Sequence, residues 1–459
     1  MTRNAFVILL VFAASAPAQT AVPEKAVDQI FSRWNATTPG CAVGVAVAGR
    51  PVLMKAYGMA DLEHDVPNTP DTVFESGSIA KQFTAMAVLL LARDGKLSLD
   101  DQVRTHIPEL PDYGVPLTIR HMLTHTSGLR DWGSVAGIAG APRTSREYTH
   151  GHVLDIVSRQ KNLNFTPGTH YSYSNTGFNL AAIIVSRVSG MPFAEFSKRR
   201  IFEPLGMTRT QWRDDHQRIV KGRAIAYTPG DGGYRIEMPF ENVHGNGGLL
   251  TTVGDLLKWN ENFVSPTVGD AALVAQQQTK GRFNDGREHN YALGLMVNAL
   301  GGVANVNHSG STAGYVTHLN RFPEAQLSVA VLCNVSSGAA TRAANDVSLL
   351  YLGDRARKPE APPRRDPDPA TITVPAAALQ ELAGRYSSDE AEVEFVAAVD
   401  NGQLVLKRRP DAAIALRPIG KDTFQGSIGR VTFLRNAAGA INGFSIRQDR
   451  VWDLGFARR

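Results

Sequence analysis

Residues 355–369 read RARKPEAPPRRDPDP. Five prolines set among charges offer few backbone donors and no apolar face, so this stretch can enter neither a helix core nor a sheet core. It reads as an extended linker, spanning 354–374 with its flanks, and it divides the chain into two unlike parts. At 459 residues the chain has room for both. Residues 19–353 mix helical and strand patterns without strict βαβ alternation, which predicts an α+β unit on an antiparallel sheet. Residues 375–459 are short strands and turns. VEFVAAV and QLVLK flank Asp400-Asn401-Gly402, and VTFLR and GFSI flank Asn436-Ala437-Ala438-Gly439. That texture predicts a small all-β barrel.

At the N-terminus, Arg3 precedes an apolar run from Ala5 to Ala16 that ends in Ala16-Pro17-Ala18. The run is too short to span a bilayer and closes on small residues, so residues 1–18 read as a signal peptide cleaved near Ala18. A secreted or periplasmic protein with no stable membrane anchor is expected. The formal charge of +5 is dispersed, with no run of five basic residues, which argues against a nucleic-acid partner. Cys41 and Cys333 lie in the apolar strand-like runs CAVGVAVAG and LSVAVLCNV. Two buried thiols are the default expectation, with adjacent strands as the alternative.

The chemistry-bearing residues fall in the first part. Ser78-Ile79-Ala80-Lys81 places a hydroxyl and an amine at i and i+3, on one face of a helix. A serine hydroxyl becomes a useful nucleophile only beside a proton acceptor, and a lysine withdrawn from water can serve. The same spacing recurs at Ser158-Arg159-Gln160-Lys161, and context separates the two. After Ser78 comes KQFTAMAVLLLA, apolar nearly all round and closed by Asp94-Gly95, which predicts a buried central helix. The polar Ser158 segment predicts a surface helix. Tyr173-Ser174-Asn175 is the one Tyr-x-Asn of the chain, and His308-Ser309-Gly310 the one His-x-Gly. A tyrosine near a lysine can become phenolate and act as a base, an asparagine offers a substrate amide both a donor and an acceptor, and a glycine in a strand admits close backbone approach.

In this order and at wide spacing, Ser-x-x-Lys, Tyr-x-Asn and His-x-Gly resemble the serine β-lactamase and penicillin-binding-protein superfamily, in its class C-like branch. The likeness runs from about Val22 to Tyr351 and includes GKLSLDDQV, HMLTHTSGL, PGTHYSYSNTGF, IFEPLGM, GGLLTTVGDLLKW and HSGSTAGY. The second part resembles the lipocalin-like barrel appended to some peptidases of that branch, opening at LAGRY (Leu382–Tyr386). The resemblance implies a β-lactamase/transpeptidase-like fold with a helical lobe beside the sheet. It makes Ser78 the acylated nucleophile, Lys81 its pKa partner and Tyr173 the proton shuttle. Asn175, His308, Gly310 and Ser311 become substrate-binding positions, the N–H groups of Ser78 and Ser311 forming an oxyanion hole. His308 stands where class C β-lactamases carry lysine. Histidine is mostly neutral above about pH 6.5, so a permanent anchor for a β-lactam carboxylate is weakened, and His308 would hold a substrate carboxylate only in its cationic form. The implied substrate is a small molecule or peptide, cleaved at an ester or at an amide bearing a D-residue, with no metal or organic cofactor. A true β-lactamase and a non-catalytic binding protein of the same fold are the alternatives.

Overall fold

CAVGVAV and LSVAVLC are apolar at successive positions because both faces of their strands are covered. The computed structural model describes residues 24–357, 369–409 and 412–459. The expected signal peptide and most of the linker lie outside these residues. The main sheet is six-stranded and antiparallel, in the order Met296–Leu300, Val303–Thr312, Tyr315–Phe322, Leu327–Cys333, Cys41–Val47, Arg50–Tyr57. Val43, Val45, Val329 and Val331 pack with the helices Glu24–Ile30 and Ala340–Leu352 on one face. Ala42, Ala46, Ala330 and Leu332 pack on the other with Val253, Leu256 and Leu257 of the helix Val253–Glu261.

Cys41 and Cys333 are direct partners in this register, with Cα atoms 4.0 Å apart, and they form a disulfide. The expectation of two free thiols is therefore corrected. Strand pairing across 292 residues sets the contact, and no local pattern reports it.

Beside the sheet stands the helical lobe, centred on the helix Lys81–Arg93. Every residue from Lys81 to Leu91 is buried, as a run apolar nearly all round requires. The helix Asn175–Ser189 packs along it and ends at Gly190 in the left-handed conformation, where glycine carries no Cβ penalty.

The second part is a closed eight-stranded barrel from Gly384 to Arg458, with the first strand pairing the last through Tyr386↔Arg458 and Ser387↔Ala457. Closure removes its sheet edges. Asn401 and Gly402 both adopt positive φ in a two-residue turn between Asp400 and Gln403, as that dipeptide predicts. Tyr386, Phe395, Phe424, Phe433, Phe444 and Phe456 are buried in its interior cluster.

The barrel is tied to the helical lobe. Arg130 Nη1 lies 2.6 Å from Glu390 Oε2, with their side chains 2% and 9% exposed. Glu390 also accepts from the Lys161 N–H, and its carbonyl accepts from Gln160. Removing one partner of such a pair strands a buried charge, at a cost of about 3–5 kcal/mol. Glu390→Ala is therefore expected to lower stability by that amount in denaturant titration. A loss below about 1 kcal/mol, the scale of an exposed pair, would show that water reaches Arg130.

Candidate active site

Ser78 stands in a 3₁₀ turn, Gly77–Ala80, that leads into the buried helix. Side chains three apart eclipse in such a turn, so Lys81 returns to Ser78 and its Nζ lies 3.0 Å from Ser78 Oγ. The turn is held from both ends. Ser76 N–H donates to Leu249 O, and Ser76 O accepts from Thr317 Oγ1. Gly77 has φ +53°, and a Cβ there would come 2.5 Å from Ser311 N. Ser78 and Ser311 are thus brought to neighbouring positions. Gly310 is tighter still, since a Cβ would fall 2.0 Å from Ser76 O. Glycine at 310 is required by the serine turn, which comes too close for any Cβ.

Lys81 has no exposed surface. Its Nζ is 2.9 Å from Asn175 Oδ1 and 2.7 Å from Asn246 O. Burial holds its pKa well below the usual lysine value, and the Arg450 and Arg143 cations push the same way, against a smaller pull from Asp131. Tyr173 presents its ring to the amine, 4.8 Å from Nζ to the centroid. Burial raises its phenol above the ordinary value, with the Ser78 hydroxyl opposing in part. The expectation of a phenolate is corrected accordingly: burial favours Lys81 without its proton and Tyr173 with one.

Asn175 opens its helix, and its backbone N–H donates to Asp131 Oδ2 at 2.7 Å. His308 sits on the Val303–Thr312 strand, 4% exposed. One ring nitrogen is 2.9 Å from Tyr291 Oη and the other 2.6 Å from Ser309 O. Burial, and secondarily the nearness of Lys81, push its pKa down to about 3. Burial thus disfavours the cationic form that a carboxylate anchor at His308 would need.

Ser78, Tyr173, Asn175, His308, Gly310 and Ser311 all line one cleft of about 500 Å³, with Lys81 beneath its floor. The second Ser-x-x-Lys is elsewhere. Ser158 ends an outer helix with its hydroxyl on Asp155 O, and Lys161 lies 3.5 Å from Asp389 of the barrel.

Sequence reasoning missed several contributors. Asn246 supplies its carbonyl to Lys81. Asp131 caps the helix Trp132–Ile138 while holding Asn175. His125, buried at φ +58°, lies against the Tyr173 ring with centroids 4.1 Å apart and planes tilted by 36°, and accepts the Ser174 N–H. His125 lies within the HMLTHTSGL stretch, the one signal that could have singled it out. Arg143 and Arg450 also line the cleft, and nothing in their local sequence marks either.

An antiparallel sheet with a helical lobe, and a serine–lysine pair in the cleft between them, define a β-lactamase/transpeptidase-like fold. The beta-lactamase family model matches residues 27–353, and the chain belongs to that family. Among curated proteins it is similar to the D-aminopeptidase of Gluconobacter oxydans, 30% identical over 70% of this chain and 60% of the relative. A D-aminopeptidase of Brucella anthropi is 28% identical over 66% and 57%. The chain thus spans about three fifths of these relatives' length. Among solved structures, the octameric penicillin-binding protein homologue from Pyrococcus abyssi has a TM-score of 0.62 at 25% identity, covering 95% of this chain and 99% of that one. The D-amino acid amidase from Ochrobactrum anthropi SV3, complexed with L-phenylalanine amide, matches in fold with a TM-score of 0.61 at 23% identity, over 72% of this chain and 99% of that one.

Proposed function

We propose that this protein is an exported hydrolase that cleaves amides or short peptides bearing a D-residue, through an acyl-enzyme on Ser78. The observation that carries the reading is the 3.0 Å contact between Ser78 Oγ and a buried Lys81 whose neutral form is favoured. The names of the D-aminopeptidase relatives support the substrate class. The apolar leader and the Cys41–Cys333 disulfide support export to an oxidising compartment.

In this reading neutral Lys81 donates to Asn175 Oδ1 and Asn246 O, while its lone pair accepts the Ser78 proton as Oγ attacks the carbonyl carbon. The N–H groups of Ser78 and Ser311 receive the developing oxyanion. Tyr173, still a phenol, gives its proton to the leaving nitrogen and recovers one from Lys81. The C–N bond breaks and the Ser78 ester remains. Water then attacks the ester, losing its proton along the same path in reverse, and the acid departs from Ser78.

The purified protein, profiled on D- and L-aminoacyl amides, p-nitrophenyl esters and nitrocefin with intact mass followed in parallel, tests this. D-amides should turn over fastest and leave a transient acyl mass on the peptide containing Ser78. Turnover of nitrocefin alone, or no acyl mass with any substrate, would overturn it.

A further inference from the structure

The reading above names a D-residue amide and leaves open what holds a charged end of such a substrate. The cleft has few candidates. Lys81 lies beneath the floor and is engaged with Ser78, and His308 is buried with both ring nitrogens engaged by Tyr291 and Ser309. Arg143 donates from Nε to Glu241 Oε2 at 2.9 Å and ion-pairs with it through Nη2. Arg450 remains. It comes from the barrel, from the two-residue turn Asp449–Arg450 between the strands Ile441–Gln448 and Val451–Arg458. Its guanidinium lies 4.8 Å from the Tyr173 ring centroid, and among the described residues no carboxylate ion-pairs with it.

This placement is built. Arg450 O accepts from Asp131 N–H at 3.2 Å and from Asn164 Nδ2 at 3.1 Å. Asp449 O accepts from Ser172 Oγ, and Trp452 N–H donates to Asn164 Oδ1 at 2.8 Å. The same Asp131 holds Asn175, so one residue fixes both the hairpin tip and a wall of the cleft. A half-buried guanidinium over an aromatic face, without a counter-ion, has donors to spare, and its planar fork matches a carboxylate.

We propose that Arg450, supplied by the barrel, anchors a free carboxylate of the substrate, so that the preferred substrates are short peptides whose C-terminal carboxylate lies next to the scissile D-residue bond. This rests on the hydrolase reading for the identity of the scissile bond, and on geometry alone for the carboxylate. It gives the barrel a direct part in specificity.

Binding in the Ser78→Ala background separates the two. Dissociation constants are measured by calorimetry for D-phenylalanyl-glycine and D-phenylalanyl-glycinamide, which differ only in the carboxylate. The carboxylate form should bind about ten- to a hundredfold tighter, the scale of one charge-assisted pair, with the ratio narrowing as salt rises. Arg450→Gln should bring the ratio close to one, and Arg450→Lys, which keeps the charge but not the fork, should retain part of it. Equal affinities with Arg450 present, a ratio unchanged in Arg450→Gln, or no binding of either ligand at millimolar concentration would overturn the proposal. A carboxylate preference without any acyl mass on wild-type Ser78 would leave the anchor standing and remove the hydrolase reading.

Discussion

Ser78→Ala is expected to lower kcat/KM on a D-aminoacyl amide by at least about a thousandfold and to abolish the acyl adduct in intact mass spectra. What remains would be the contribution of binding and of the oxyanion donors, which the substitution leaves in place. Ser158→Ala, at the other Ser-x-x-Lys, should change neither rate nor adduct. The Ser158 hydroxyl is bound to Asp155 O on an outer helix, away from the cleft. An adduct that persists in Ser78→Ala would refute the assignment, whatever its rate.

If Lys81 and Tyr173 carry protons as proposed, removing either should cost about a hundredfold or more, as Lys81→Ala or as Tyr173→Phe. The double variant should be little worse than either one, because groups on a single proton path are not additive. Lys81→Arg should fail as badly as Lys81→Ala. It keeps a long cation in the cavity but cannot give up its proton at working pH. The pH dependence has a definite sign. Burial and neighbouring cations lower the Lys81 pKa, so the productive neutral amine is present above that lowered value and is lost as pH falls through it. The acid limb of kcat/KM should therefore lie below the ordinary lysine range near 10.4. Arg450→Gln removes one of the cations that oppose protonation of Lys81, so it should move that limb upward. An acid limb at an unshifted lysine value, or losses that add fully in the double variant, would separate Lys81 from the chemistry.

Local features of the chain were legible to different depths. The Asn401-Gly402 turn and the buried helix Lys81–Arg93, closed at Gly95 with positive φ, follow from backbone preference and apolar pattern over a few residues. Ser78 and Lys81 could be paired from spacing, because three residues of helical or 3₁₀ chain carry one over the other. Tyr173, Asn175, His308, Gly310 and Ser311 could be named by resemblance. Their convergence on one cleft depends on the sheet's Val303–Thr312 strand passing beside the serine turn.

By itself, the sequence determined which residue types were available, where several local helix and turn signals fall, and that a proline-rich stretch separates two segments of unlike texture. Tertiary structure decided the rest. It made Cys41 and Cys333 a disulfide through strand register. Through burial it pushed the pKa values of His308 and Lys81 down and that of Tyr173 up. It also carried Arg450 of the barrel to the Tyr173 ring. The physical reason is common to all three. Register, desolvation and the field of distant charges depend on what packs around a group, and that neighbourhood comes from residues hundreds of positions away.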